Sequence, residues 1–70
     1  MKIKLATMRT KRQMNQSELS RSSGVPQPMI SDIENGNVLN PTIKTLSKLA
    51  RALRCLIDDL IEEEQETRGV

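Results

Sequence analysis

The chain has no phenylalanine, tryptophan or tyrosine, no histidine, and a single cysteine, Cys55. Each absence removes a class of function. Without aromatic rings there is no stacking platform for single-stranded RNA or DNA. With no histidine and no second thiol there is no zinc site and no disulfide, and the usual sets for nucleophilic or acid–base catalysis are missing. An enzyme is therefore not expected, and neither is a cofactor or a metal. No apolar run approaches the roughly 18 residues that would span a bilayer, and the opening stretch Met1–Arg12 has no signal-peptide core. These features predict a soluble, cytoplasmic protein, and an unpaired thiol suits a reducing compartment.

What the chain does have is aliphatic: leucine, isoleucine, and a few valines and methionines within 70 residues. That length makes one small domain, expected over residues 1–64, with 65–70 as a flexible acidic C-terminal tail. A domain of this size buries only about 60% of its unfolded surface, so self-association is the plausible extra support. The net charge of +2 hides a polarity. Residues 1–54 hold ten lysines and arginines against Glu18, Asp32 and Glu34, whereas residues 55–70 hold Arg68 against six acidic residues. A basic body with an acidic end suits a protein that meets a polyanion with one face. A merely solvated surface fits the charge pattern equally well.

Proline and glycine punctuate helical rather than alternating patterns. The spacing predicts an all-α, compact five-helix domain with no sheet. Helix 1 is expected from about Ile3 to Gln13, with Leu5 and Met8 inward. Helix 2 is expected from Gln16 to about Ser23, capped by Asn15 with Glu18 closing a capping box. It should bury Leu19 and stop at Gly24, where a positive φ costs little. Helix 3 is expected to begin at Pro26, suited like Pro28 to a first turn whose N–H groups lack partners anyway. Ile30 and Ile33 should face the core, Gln27, Met29, Ser31 and Asp32 the outside, and Asn35-Gly36 should end it. After a polar loop from Asn37 to Asn40, Pro41-Thr42 signals helix 4. Its stripe is Ile43, Leu46, Leu49, Ala50 and Leu53. A last helix, about Ile57 to Glu64, should bury Leu60 and Ile61 and carry Asp58 and Asp59 where the helix dipole favours them.

Several landmarks fall in one register: Leu5 with Met8 and Arg9; the run Asn15-Gln16-Ser17-Glu18-Leu19-Ser20; Gly24-Val25; Ile30-Ser31 with Ile33-Glu34-Asn35-Gly36; Pro41-Thr42 with Thr45-Leu46; and Ala50 with Leu53. Over roughly residues 3 to 61 the chain resembles the lambda-repressor-like helix-turn-helix family, the Cro and phage-repressor type also called Xre. The resemblance implies that helices 2 and 3 form the helix-turn-helix of a transcription regulator that binds double-stranded DNA. It further implies a repressor acting as a homodimer on a pseudo-palindromic operator.

Residue by residue, the resemblance sets Gln27, Pro28, Ser31 and Asp32 on the base-reading face. Gln27 can bond adenine in a bidentate way, whereas Pro28 offers only shape or an apolar touch to a thymine methyl. Asp32 could accept from cytosine or pair with Arg12 or Arg21. Met29 could touch a base or cover the turn. Gln16 matches a phosphate-gripping position, although a surface glutamine is the plain alternative. Asn35, Asn37, Asn40, Thr42 and Lys44 match or adjoin a loop that approaches phosphates. Lys11, Arg12 and Lys48 could add electrostatic attraction or simply be solvated. Arg9 and Glu34 resemble the family's structural ion pair, which orients the recognition helix.

Two departures stand out: Pro26 where the family prefers a small or polar cap, and Arg54-Cys55-Leu56 where it prefers glycine and then a small polar cap. The second predicts a junction after helix 4 that is either more continuous or differently capped. Leu56 has no local apolar purpose, so Leu56 and Leu60 are expected in a two-fold dimer contact. An antitoxin-like module whose acidic tail engages a partner protein is the alternative function. A purely structural helical bundle is a further one.

Overall fold

The computed structural model describes residues 2–38 and 40–62. The expected tail at 65–70 and the final residues of the expected fifth helix lie outside them. Among the described residues, four α-helices follow a short first strand: β1 (Lys2–Ile3), α1 (Leu5–Lys11), α2 (Gln16–Ser23), α3 (Gln27–Glu34) and α4 (Ile43–Leu53). A single 3-10 turn (Ile57–Leu60) and β2 (Ile61–Glu62) complete the order. No helix among these residues is long and apolar enough to cross a membrane.

The core is aliphatic throughout. Leu5, Met8, Leu19, Val25, Ile30, Ile33, Leu46, Leu49, Ala50, Leu53 and Leu60 form one buried cluster, with Ile3, Met14, Val38 and Ile61 among the side chains packed against it. α1, α3 and α4 each contribute residues three or four apart, the spacing that puts side chains on one helical face, whereas α2 contributes Leu19 alone. Ile43 departs from its expected place in the α4 stripe. It is 67% exposed, because the first turn of α4 projects past the core and burial starts only at Leu46.

Two predictions fail at the chain's two ends. Ile3 is not helical, and the expected fifth helix is reduced to one 3-10 turn followed by strand. The two failures share a cause. β1 and β2 pair antiparallel with Ile3 opposite Ile61 and Lys2 opposite Glu62, and the Lys4 N–H donates to the Leu60 carbonyl at 2.7 Å. Leu60 lies fully in the core. Drawing it inward extends the chain just beyond, and the β-branched Ile3 and Ile61 suit an extended ladder better than a helix.

The helix boundaries follow local chemistry. The Asn15 side chain accepts from the Glu18 N–H at 2.8 Å, and the Glu18 carboxylate accepts from the Asn15 N–H at 2.8 Å. Gly24 ends α2 at φ +80°, with open space where a Cβ would stand, so its backbone angle alone calls for glycine. Pro26 is the cap rather than the first residue of α3, which places Gln27 and Pro28 in the first turn. Thr42 caps α4, its hydroxyl accepting from the Thr45 N–H at 3.1 Å.

The α4 end is differently capped, not continuous. The Cys55 N–H reaches back to the Ala50 carbonyl at 2.9 Å and the Arg54 N–H to Arg51 at 3.1 Å. This is the Schellman pattern, with Arg54 at φ +55° in the left-handed position that glycine usually takes. Arg12 closes the exposed carbonyls from outside. Its Nε donates to the Leu53 carbonyl at 2.7 Å and a terminal nitrogen to the Arg54 carbonyl at 3.3 Å.

Candidate nucleic-acid interface

The connection between α2 and α3 is pinned by two serines and a buried valine. The Ser20 hydroxyl donates to the Val25 carbonyl at 2.7 Å, and the Ser23 hydroxyl accepts from the Val25 N–H at 3.1 Å. With Val25 buried and Gly24 in the left-handed region, Pro26 starts α3 in one fixed direction. Ile30 and Ile33 anchor the inner face of α3 against α2 and α1. The opposite face is left to solvent.

That outer face carries Gln27, Pro28 and Asp32, all exposed, and Ser31, half-buried. The Ser31 hydroxyl accepts from the Asn35 side-chain amide at 3.4 Å, a bond along one helical turn. Among the described residues neither Arg12 nor Arg21 forms an ion pair with Asp32. Arg12 is engaged at the end of α4, and Arg21 donates to the Ser17 hydroxyl at 3.3 Å. The carboxylate of Asp32 thus stays in water, while its main-chain carbonyl accepts from the Asn37 N–H at 2.8 Å and shapes the following loop. Asn35, Asn37, Asn40, Thr42 and Lys44 are all exposed along that loop and the start of α4. Met29, 37% exposed, and Ile43 are large apolar side chains also in contact with solvent.

Behind the turn between α2 and α3 lies a polar junction. The Glu34 carboxylate, last residue of α3, accepts from Arg9 Nε at 2.7 Å, from a terminal Arg9 nitrogen at 3.0 Å and from the Gln16 side-chain amide at 2.9 Å. The remaining terminal nitrogen of Arg9 donates to the Met14 carbonyl at 3.0 Å. One carboxylate therefore joins α1, the first residue of α2 and the end of α3. Burial alone would raise the Glu34 pKa, but hydrogen bonds from Arg9 and Gln16, with the Arg9 charge, hold it below the usual carboxylate range. The same hydrogen bond to Glu34 raises the Arg9 pKa further. At neutral pH the pair is fully charged and fully satisfied.

Sequence reasoning paired Arg9 with Glu34 but missed Gln16 as the third member. The bond to Glu34 uses one of the two side-chain N–H groups of Gln16 and fixes the orientation of its amide. The second N–H remains for another acceptor. At the start of α2 the capping box satisfies Glu18, and the main-chain N–H groups of Gln16 and Ser17 have no helical acceptor. A fixed amide beside free N–H groups is a geometry suited to an anion.

Leu60, expected beside Leu56 in a dimer contact, is fully buried and packs within the monomer. Leu56 is 69% exposed. The 3-10 turn carries Leu60 into the core and leaves Leu56, just before it, outside.

Residues 5–60 match the sequence pattern described as helix-turn-helix. The chain belongs to the helix-turn-helix family, of the Cro and phage-repressor type. Its residues are also similar to an uncharacterized HTH-type transcriptional regulator of Coxiella burnetii (strain RSA 493 / Nine Mile phase I), at 38% identity over 60 residues. The match covers 86% of this chain and 28% of that relative, so the chain spans less than a third of the relative's length. Within this helix-turn-helix, α2 is the first helix and α3 the second.

Proposed function

We propose that the chain binds double-stranded DNA by laying α3 in the major groove, and that it represses transcription as a homodimer on a pseudo-palindromic operator. One observation carries the reading. The exposed first turn of α3 is held in a fixed direction by the Gly24 turn, the two serine bonds and the Glu34 junction. A rigidly presented helix start is what a groove reader needs, since the major groove admits a helix and its bases are distinguished there.

Gln27 is the principal base reader, able to bond adenine through two atoms. Pro28 shapes the fit, and Ser31 and Asp32 complete the face. Gln16, Asn35, Asn37, Asn40, Thr42 and Lys44 meet the phosphates, with the Glu34 bond turning the Gln16 amide into position. Two copies would set their α3 helices about 34 Å apart, in successive turns of the groove. Occupying a promoter would exclude polymerase, which favours repression over activation.

The test is selection of bound duplexes from a random library at stated salt, followed by Gln27→Ala. The substitution is expected to lose about 1–3 kcal/mol of discrimination at one base step, with overall affinity still steeply salt-dependent. Unchanged preference at every step in that variant would remove Gln27, and with it α3, as the reader.

A further inference from the structure

α3 contains no lysine or arginine. Of its two acids, Glu34 is engaged by Arg9 and Gln16, which leaves Asp32 as the one exposed formal charge on a helix that would enter the groove of a polyanion. The Asp32 carboxylate forms no ion pair among the described residues. Its position is set by the main chain, where the Asp32 carbonyl accepts from the Asn37 N–H at 2.8 Å and the Val38 N–H at 3.3 Å. Four residues earlier, in the first turn of the same helix, stands Pro28, also exposed. Side chains four apart share one helical face, with Cβ atoms about 5–6 Å from each other. The two are chemically unlike. An ionised carboxylate only accepts hydrogen bonds, whereas the proline ring offers a rigid apolar surface with no donor.

The edges of the bases in the major groove decide what such a pair fits. Close to phosphates a carboxylate is repelled unless it meets a donor, and only adenine N6 and cytosine N4 supply one. Adenine sets the acceptor N7 beside N6, an arrangement suited to the amide of Gln27 and hostile to a second carboxylate oxygen. Cytosine sets the apolar C5 edge beside N4, with no acceptor between them. An acceptor and an apolar ring on one helical face therefore match cytosine, and a methyl group on its C5 fills the space that the ring faces. We infer that Asp32 and Pro28 together read 5-methylcytosine, the carboxylate accepting from N4 and the proline ring covering the C5 methyl group. With α3 in the major groove, the reading on which this assignment rests, the operator includes a cytosine whose methylation tightens binding. Thymine presents the same methyl group but places the acceptor O4 against the carboxylate, so the pair separates two bases that a methyl contact alone would confuse.

The test uses the full chain and starts from duplexes that it selects out of a random library at stated salt. At each pyrimidine position of the bound sequence, synthetic duplexes carry uracil, thymine, cytosine or 5-methylcytosine in turn, and their affinities are compared by fluorescence anisotropy. At one step 5-methylcytosine is expected to bind about fourfold tighter than cytosine, the gain from burying one methyl group. Cytosine at that step should bind about tenfold tighter than thymine, which leaves the carboxylate without a donor. Asp32→Asn should abolish the preference for cytosine over thymine there and keep the methyl gain. Pro28→Ser should abolish the methyl gain and keep the preference for cytosine. Both residues are exposed, so both variants should retain the wild-type circular dichroism.

A wild type with no step at which 5-methylcytosine is preferred overturns the inference. So does a methyl gain that survives Pro28→Ser, or a cytosine preference indifferent to Asp32→Asn. DNA reading by α3 is scored separately through Gln27→Ala. If that variant loses discrimination at its own step while no cytosine step responds to Asp32 or Pro28, only the methylcytosine assignment falls. A chain that binds no duplex removes both.

Discussion

All four helices among the described residues are closed by a left-handed residue, Gln13 after α1, Gly24 after α2, Gly36 after α3 and Arg54 after α4, and the ends of α2 and α4 are built on opposite principles. α2 ends on Gly24, which adopts φ +80° at little cost and has open space around it. α4 ends on Arg54 at φ +55°, a conformation that costs a residue with a Cβ about 1–2 kcal/mol. At the first end the backbone is chosen to be free and two serines then fix it. At the second the backbone is strained, and a residue forty-two positions earlier, Arg12, holds it by bonding the terminal carbonyls. A sharp stop can come from the residue at the stop or from a clamp brought in by the fold. The first kind tolerates little change at that residue. The second shares its dependence between two distant positions.

The largest loss of stability is expected behind the α2 end, where α2 and α3 are tied to α1 through Glu34. Glu34→Ala leaves the Arg9 guanidinium poorly solvated without its partner, and should lower stability by about 3 kcal/mol in urea unfolding at neutral pH. The Glu34 pKa is held below its ordinary value in the folded chain, so its contribution is fully present above the ordinary carboxylate range. It is lost as pH falls through the depressed folded value. The gap between wild type and Glu34→Ala should therefore narrow in acid, and a gap that stays constant down to full protonation would deny the pair its electrostatic role.

Next in size is the clamp. Arg12→Ala removes two bonds and a positive charge from the end of α4 and should cost about 1–2 kcal/mol, read from the same urea transitions. Gly24→Ala should cost about 1 kcal/mol through its φ alone, since no neighbour would be struck. The smallest effect has the opposite sign. Arg54→Gly should raise stability by roughly 0.5 kcal/mol, the relief of strain being partly offset by a freer unfolded chain. If Arg54→Gly destabilises in thermal melts, the left-handed residue contributes more than its backbone angle, and the contrast between the two ends fails.

What could be read from the residues alone follows the range of the interactions. The Asn15–Glu18 capping box, the Gly24 stop and the Thr42 start were legible because each is completed within three or four residues. The α3 core pair Ile30 and Ile33 was legible for the same reason. The Arg9–Glu34 pair became visible only through resemblance to a family, since nothing local links residues 25 positions apart. Gln16 as its third member and Arg12 as a clamp on Leu53 stayed hidden: each joins separate elements through one side chain. The fifth helix was misread because Ile57, Leu60 and Ile61 have helical spacing, and a two-residue ladder is too short to show a period of its own. Ile43 was misplaced because periodicity gives a face but not where along the helix the core begins. Of the candidate interface, α3 and its exposed face were anticipated by number, but the junction that aims them was not.

The ladder between Ile3 and Ile61 has a consequence for how the fold closes. Joining two points so far apart in sequence costs roughly 3–4 kcal/mol of chain entropy, more than two residues of strand pairing return. The joint is favourable only because Leu60 enters the core next to it and the Lys4 N–H takes the Leu60 carbonyl. Strand and leucine therefore engage and release as a single cooperative unit. The ribbon works as a latch on a bundle whose other contacts are nearer in sequence, and Leu60 is the bolt.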